Sequence, residues 1–133
     1  MYLIDTSVWI DYFRGIENEA SRHFSAILDN KMSFGISGLI YQEILQGAKS
    51  RKDFDKLTAY LSTQCFFHPT DEVMTYELAA QLYFSCRRAG ITLRSSIDCL
   101  IAQIAIEHNL ILLHNDKDYE LIKQVSPQLT LYS

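Results

Sequence analysis

Long hydrophobic runs are missing from this chain. Its most apolar stretch, "CLIAQIAI" at residues 99–106, falls well short of the roughly 20 apolar residues a membrane-spanning helix needs, so no membrane segment is expected. The opening "MYLIDTSVWIDYF" has no basic n-region and interrupts its first apolar run with Asp5, which argues against a secretory signal. Cysteine is scarce: Cys65, Cys86 and Cys99 form no CxxC pair and accompany no paired-histidine motif. A disulfide framework and a zinc knuckle are therefore both disfavoured, and reduced thiols in a core are expected. With two prolines and five glycines in 133 residues there is no flexible linker, low-complexity tract or repeat, so residues 1–133 should form one domain. Cationic excess is absent as well. The formal net charge of −4 argues against a broad basic surface for nucleic acid, although an acidic cluster that chelates a cation remains compatible with it. A soluble cytoplasmic protein is the expectation.

What is present is globular in balance, 48% hydrophobic and 21% charged, and its patterning alternates. Tyr2–Ile4 reads as a strand followed by a helix capped within "DTS"; residues 18–29 place Ala20, Phe24, Ile27 and Leu28 on one helical face. A strand near residues 33–36 leads to a helix capped by Ser37, with a further helix over "AKSRKDFDKLTAYLS". "CFF" at 65–67 reads as a third strand, with Thr70 capping a long helix that Gly90 ends. Ser95 opens the next helix, "LILL" is a fourth strand, residues 117–125 form a last helix and "LTLY" a fifth strand. Such alternation predicts an α/β fold, a three-layer α/β/α sandwich on a parallel sheet of about five strands. Chemistry in these folds gathers beyond the carboxyl ends of the strands.

Five acids stand near that edge. Asp5 directly follows the first strand; it suits helix capping equally well, but Thr6 and Ser7 can cap in its place. Glu43 falls on the apolar stripe of its helix with Leu39 and Ile40, where a carboxylate is costly without a partner. Asp98 lies three residues after Ser95, a spacing that also fits a capping box. Asp116 and Asp118, in "HNDKDY", follow the fourth strand where acids often serve turns. Taken together, like charges converging on one crevice repel unless protonated or bound to a cation. Oxygen-only donors favour Mg²⁺ or Mn²⁺ over zinc, and such an ion suits phosphodiester hydrolysis.

With "YLIDTSVWID", "YQEILQGA", "RSSIDCLIAQIA" and "LLHNDKDYELI" in this order, the sequence resembles the PIN-domain family, and within it the VapC-type ribonuclease toxins of VapBC toxin–antitoxin systems. The resemblance spans nearly the whole chain. It implies a metal-dependent endoribonuclease acting on RNA, transfer RNA foremost, with Asp5, Glu43, Asp98 and Asp116 as the catalytic acids. Asp5, Asp98, Asp116 and Asp118 would face Mg²⁺ or Mn²⁺, and Thr6 or Ser7 would orient a water. It also implies a VapB-type antitoxin docking near the aromatic stripe Trp9, Tyr12 and Phe13, and a homodimer. Arg94 and Arg87 are candidate RNA contacts, although Arg87 and Arg88 equally suit a solvated helix end. His114 fits a packed or hydrogen-bonded role better than a functional one. Where the family commonly carries Phe this chain has Tyr119, a departure expected to matter little for packing and less for chemistry.

Three other readings compete. A haloacid-dehalogenase-like phosphatase needs a second Asp two positions after its nucleophile, where this chain has Ser7. A receiver domain needs a paired acid before the first motif and a late lysine, and neither stands out. A non-catalytic PIN-fold module that binds RNA or protein is the stronger rival, but clustered carboxylates repel a phosphate backbone and gain such a module nothing.

Overall fold

In a computed structural model that describes residues 1–132, the strands are short. They are β1 (Tyr2–Ile4), β2 (Phe34–Gly35), β3 (Ile111–Leu113) and β4 (Thr130–Leu131). The helices are α1 (Thr6–Phe13), α2 (Glu19–Asp29), α3 (Gly38–Gln46), α4 (Arg51–Leu61), α5 (Met74–Arg88), α6 (Ile97–Glu107) and α7 (Asp118–Val125). All strand pairs are parallel, in the order β2-β1-β3-β4, with Leu3 opposite both Gly35 and Leu112. The first strand of the chain is thus an inner strand of the sheet.

Leu3, Ile4, Leu112 and Leu113 are buried on the two inner strands, as expected of a parallel sheet covered on both faces. The helices fall into two groups: α1 to α4 contact one another, and α5 to α7 do the same. Trp9 and Phe24 anchor the first group, their rings edge to face at 4.7 Å, and the Trp9 indole donates to the Ile4 carbonyl at 3.1 Å. Among the described residues, no helix is long and apolar enough to cross a membrane.

Three expectations need correction. The sheet has four strands, not five, because "CFF" forms a single bridge, Phe66 to Ile36, beside β2. Its two hydrogen bonds, Ile36 N–H to Cys65 O and Phe67 N–H to Ile36 O, are well made. The ladder stops there because the next donor toward β2 would be the N–H of residue 69, and Pro69 has none. Gly35 permits even this approach: a Cβ there would lie 2.5 Å from the Cys65 carbonyl oxygen and from the Phe67 ring. Secondly, Thr70 does not cap α5. It donates to Glu107, and Asp71 instead accepts the N–H groups of Val73 and Met74. Finally, Cys65 is exposed, whereas Cys86 and Cys99 are buried and burial pushes the Cys99 thiol up to about 12.

Candidate active site

Because the strands run parallel, β1, β2 and β3 deliver their following residues to one edge. β1 delivers Asp5. Its carboxylate is buried and caps α1, accepting from the Ser7 N–H at 3.1 Å and the Ser7 hydroxyl at 2.6 Å, both on Oδ2. The expectation that Thr6 or Ser7 would take over capping is therefore corrected: Asp5 is itself the N-cap, since its extended backbone presents the carboxylate to the first turn. Ser7 is occupied between Asp5 and the Asn115 N–H, which donates to it at 3.0 Å.

Past β2, Ser37 caps α3 and brings Glu43 up one and a half turns later. Glu43 is half-buried and accepts the Thr6 hydroxyl at 2.8 Å. Burial pushes its pKa up, the Thr6 hydrogen bond offsets part of that, and the Asp5 charge adds to the rise. This matches a carboxylate on the boundary of an apolar stripe.

Beyond β3, the turn His114–Asn115–Asp116 leads into α7. Asp116 Oδ1 accepts the Asp118 N–H at 3.0 Å, while Asp118 is buried and takes the Arg94 N–H at 3.0 Å. The Arg94 side chain spans both acids, 2.5 Å from Asp116 Oδ1 and 3.5 Å from Asp118 Oδ2. His114 is largely buried and accepts the Asp116 N–H at 3.1 Å, a supporting position as read from the sequence.

Asp98 stands in the first turn of α6, and the capping box with Ser95 does not form. Ser95 accepts the Ile97 N–H instead, and Asp98 turns to the crevice. Its carboxylate offers an oxygen that lies within 4.8 Å of oxygens of Asp116 and Asp118, all three within that distance of one another. Burial is the largest cause of a pKa raised to about 7, and the charges of Asp5, Asp116 and Asp118 add to it. A cluster of carboxylate oxygens at this spacing fits a hard divalent cation.

Tyr119 is the residue that the sequence reading set aside. Its ring is fully buried, yet its hydroxyl reaches the acids, 2.7 Å from Asp5 Oδ1 and 3.3 Å from Asp98 Oδ1. The only signal for it was a polar tip where the resemblance has Phe. The remaining candidates lie elsewhere: Arg87 and Arg88 end α5, with Arg88 over the Phe84 ring at 5.8 Å, and the ion pairs with the crevice acids come from Arg94.

A family model described as PIN domain matches residues 2–125. The chain belongs to the PIN-domain family. Among curated relatives of this PIN domain is ribonuclease VapC11 of Mycobacterium tuberculosis, 33% identical over 95% of this chain and 94% of that protein. Among solved structures, VapBC2 from Rickettsia felis bound to a promoter DNA fragment superposes with a TM-score of 0.73. It is 21% identical over 98% of this chain and 96% of that one. A toxin–antitoxin complex from Klebsiella pneumoniae gives 0.71 at 19% identity, covering 100% and 97%. At these identities the two structures share the fold of this PIN domain.

Proposed function

We propose that this PIN domain is a metal-dependent endoribonuclease, the toxin component of a type II toxin–antitoxin system, hydrolysing RNA phosphodiesters with transfer RNA as the expected substrate. The observation that carries the reading is the convergence of Asp98, Asp116 and Asp118 beside Asp5 at the carboxyl edge of a parallel sheet. The relatives named ribonucleases support it. Residues 1–133 act as one nuclease domain in the cytoplasm.

Mg²⁺ or Mn²⁺ suits this oxygen-only donor set, with Asp98, Asp116 and Asp118 as ligands and Asp5 completing the site. When bound, such a cation lowers the pKa of water and offsets charge on the scissile phosphate. Glu43 orients the attacking water and takes its proton, a role that its raised pKa favours. Thr6 holds Glu43 in place, and Ser7 fixes Asp5. The water oxygen bonds to phosphorus, the bond from phosphorus to the 3′ oxygen breaks, and that oxygen takes up a proton from solvent. The products carry a 5′-phosphate and a 3′-hydroxyl. Arg94, two-thirds exposed and already at the crevice, grips a phosphate, with Arg87 as a more distant contact.

Ile10, Phe13, Ile44 and Leu57, together with the charged Arg14, Lys49 and Asp53, line a groove between α1, α3 and α4 that suits an amphipathic helix of a VapB-type antitoxin. Tyr76 and Phe84, exposed on α5, suit a homodimer contact.

The test is incubation of the antitoxin-free protein with total cellular RNA, with and without Mg²⁺ or Mn²⁺, beside Asp98→Ala. Discrete metal-dependent cuts with 5′-phosphate ends, absent in the variant, are expected. Identical behaviour of wild type and a folded variant would overturn catalysis in favour of a non-catalytic binding module.

A further inference from the structure

Tyr119 follows Asp118 in the first turn of α7, and its ring is fully enclosed. The His114 ring packs against it, centroids 5.1 Å apart. A ring held this way has little freedom, so the direction of its hydroxyl is set by the core. A Phe ring would fill the same space, so packing alone gives no reason for the oxygen. A buried hydroxyl is costly unless it is hydrogen-bonded, and here its partners are the two carboxylates at 2.7 Å and 3.3 Å.

The hydroxyl has one proton, shared unequally: the shorter contact makes Asp5 its main acceptor, and Asp98 is the weaker second acceptor of a bifurcated bond. Asp5 then receives three donors: Tyr119 on Oδ1, and the Ser7 hydroxyl and N–H on Oδ2. An ionised carboxylate has about four acceptor directions, so little more than one remains, and its orientation is fixed. Asp98 has much less support. Among the described residues, Tyr119 is its side chain's only hydrogen-bond partner. The same phenol therefore holds one acid rigidly and gives the other its single point of reference, across the gap between β1 and α6.

We propose that Tyr119 is a positioning residue of the acidic site, whose hydroxyl fixes Asp5 and orients Asp98 so that both carboxylates meet a divalent cation in prealigned geometry. This rests on the reading that the crevice binds such a cation. Groups that orient metal ligands from behind typically contribute about 10–100-fold in affinity, and among the described residues Tyr119 is the one whose side chain hydrogen-bonds both Asp5 and Asp98.

The experiment is calorimetric titration of Mn²⁺ into metal-free wild type, Tyr119→Phe and Asp98→Ala at neutral pH, with circular dichroism as the check on folding. Tyr119→Phe is expected to stay folded and to bind Mn²⁺ about tenfold or more weakly, with Asp98→Ala losing the site. A Tyr119→Phe protein that binds as tightly as wild type would overturn the proposal and leave the metal reading intact. Wild type that binds no Mn²⁺ would overturn both. A second measurement needs no variant: adding Mg²⁺ to wild type should produce an ultraviolet difference spectrum of a perturbed buried tyrosine, saturating with binding. A flat spectrum at saturating Mg²⁺ would overturn the positioning role.

Discussion

The Thr6 hydroxyl donates to Glu43 Oε1 at 2.8 Å, joining the start of α1 to the middle of α3. This bond favours the ionised carboxylate against burial, which pushes the other way. Thr6→Val keeps the shape and removes the donor, so the Glu43 pKa should rise further. Since the proposed mechanism needs Glu43 ionised, the acid limb of the kcat/KM profile should move to higher pH. Thr6→Ser should restore it. An unmoved acid limb in Thr6→Val would separate Glu43 from the rate.

Asp98 makes the metal-free fold sensitive to pH in a definite direction. Its pKa is about 7 in the fold against 3.8 for the free side chain, so over that interval the folded chain binds the proton and the unfolded chain does not. Its contribution to stability is full below about pH 4 and is lost as pH rises through about 7. Thermal midpoints measured in chelator should accordingly fall across this window, and Asp98→Asn should flatten that part of the curve. Cation affinity runs oppositely, weakening by up to about tenfold per unit as pH falls below 7, because the proton competes for the carboxylate.

Asp5 has two duties that variants can separate. Asn is about as good an N-cap as Asp, so Asp5→Asn should retain the fold while losing the charge and with it most RNA cleavage. Asp5→Ala also removes the cap, at a cost of about 1 kcal/mol. Urea unfolding should rank wild type and Asp5→Asn close together and Asp5→Ala below them, with both variants nearly inactive.

At Gly35 the expected damage is structural. The added methyl of Gly35→Ala would press on the Cys65 carbonyl and the Phe67 ring at 2.5 Å, forcing the 65–67 segment away from β2. Such overpacking costs about 1–3 kcal/mol, measurable as a lower urea midpoint. Gly38, beside which a Cβ meets nothing, provides the control, and Gly38→Ala should unfold near the wild-type midpoint.

The sequence drew attention to the acids by their places, although local rules could account for Asp5, Asp98, Asp116 and Asp118 singly. Glu43 lies on an apolar stripe, and Asp98 faces the crevice while Ser95 bonds Ile97. Asp116 and Asp118 follow a strand whose end is an edge of the sheet. Other features depended on contacts far apart in the chain. Whether "CFF" becomes a strand depends on its partner segment, where Ser37 caps α3 directly after the bridging Ile36, which the propensity of residues 65–67 does not encode. Thr70 looked like a cap because its residue type fits one, but Glu107, 37 residues on, claims its hydroxyl. Tyr119 was underestimated for the same reason: a hydroxyl is assigned to chemistry by what faces it, and Asp5 and Asp98 come from elsewhere in the sequence.

The place of β1 inside the sheet governs when the crevice comes into existence. Asp5 is synthesised 114 residues before the tyrosine that holds it, and the neighbouring β3 also follows it by more than a hundred residues. Contacts of such sequence separation form slowly and only once both ends are available. A nascent chain emerging from the ribosome therefore carries Asp5 without the rest of the acidic cluster until those later residues have been made. For an enzyme that would cut RNA, this delay keeps the growing chain inert beside the RNA-rich machinery that makes it.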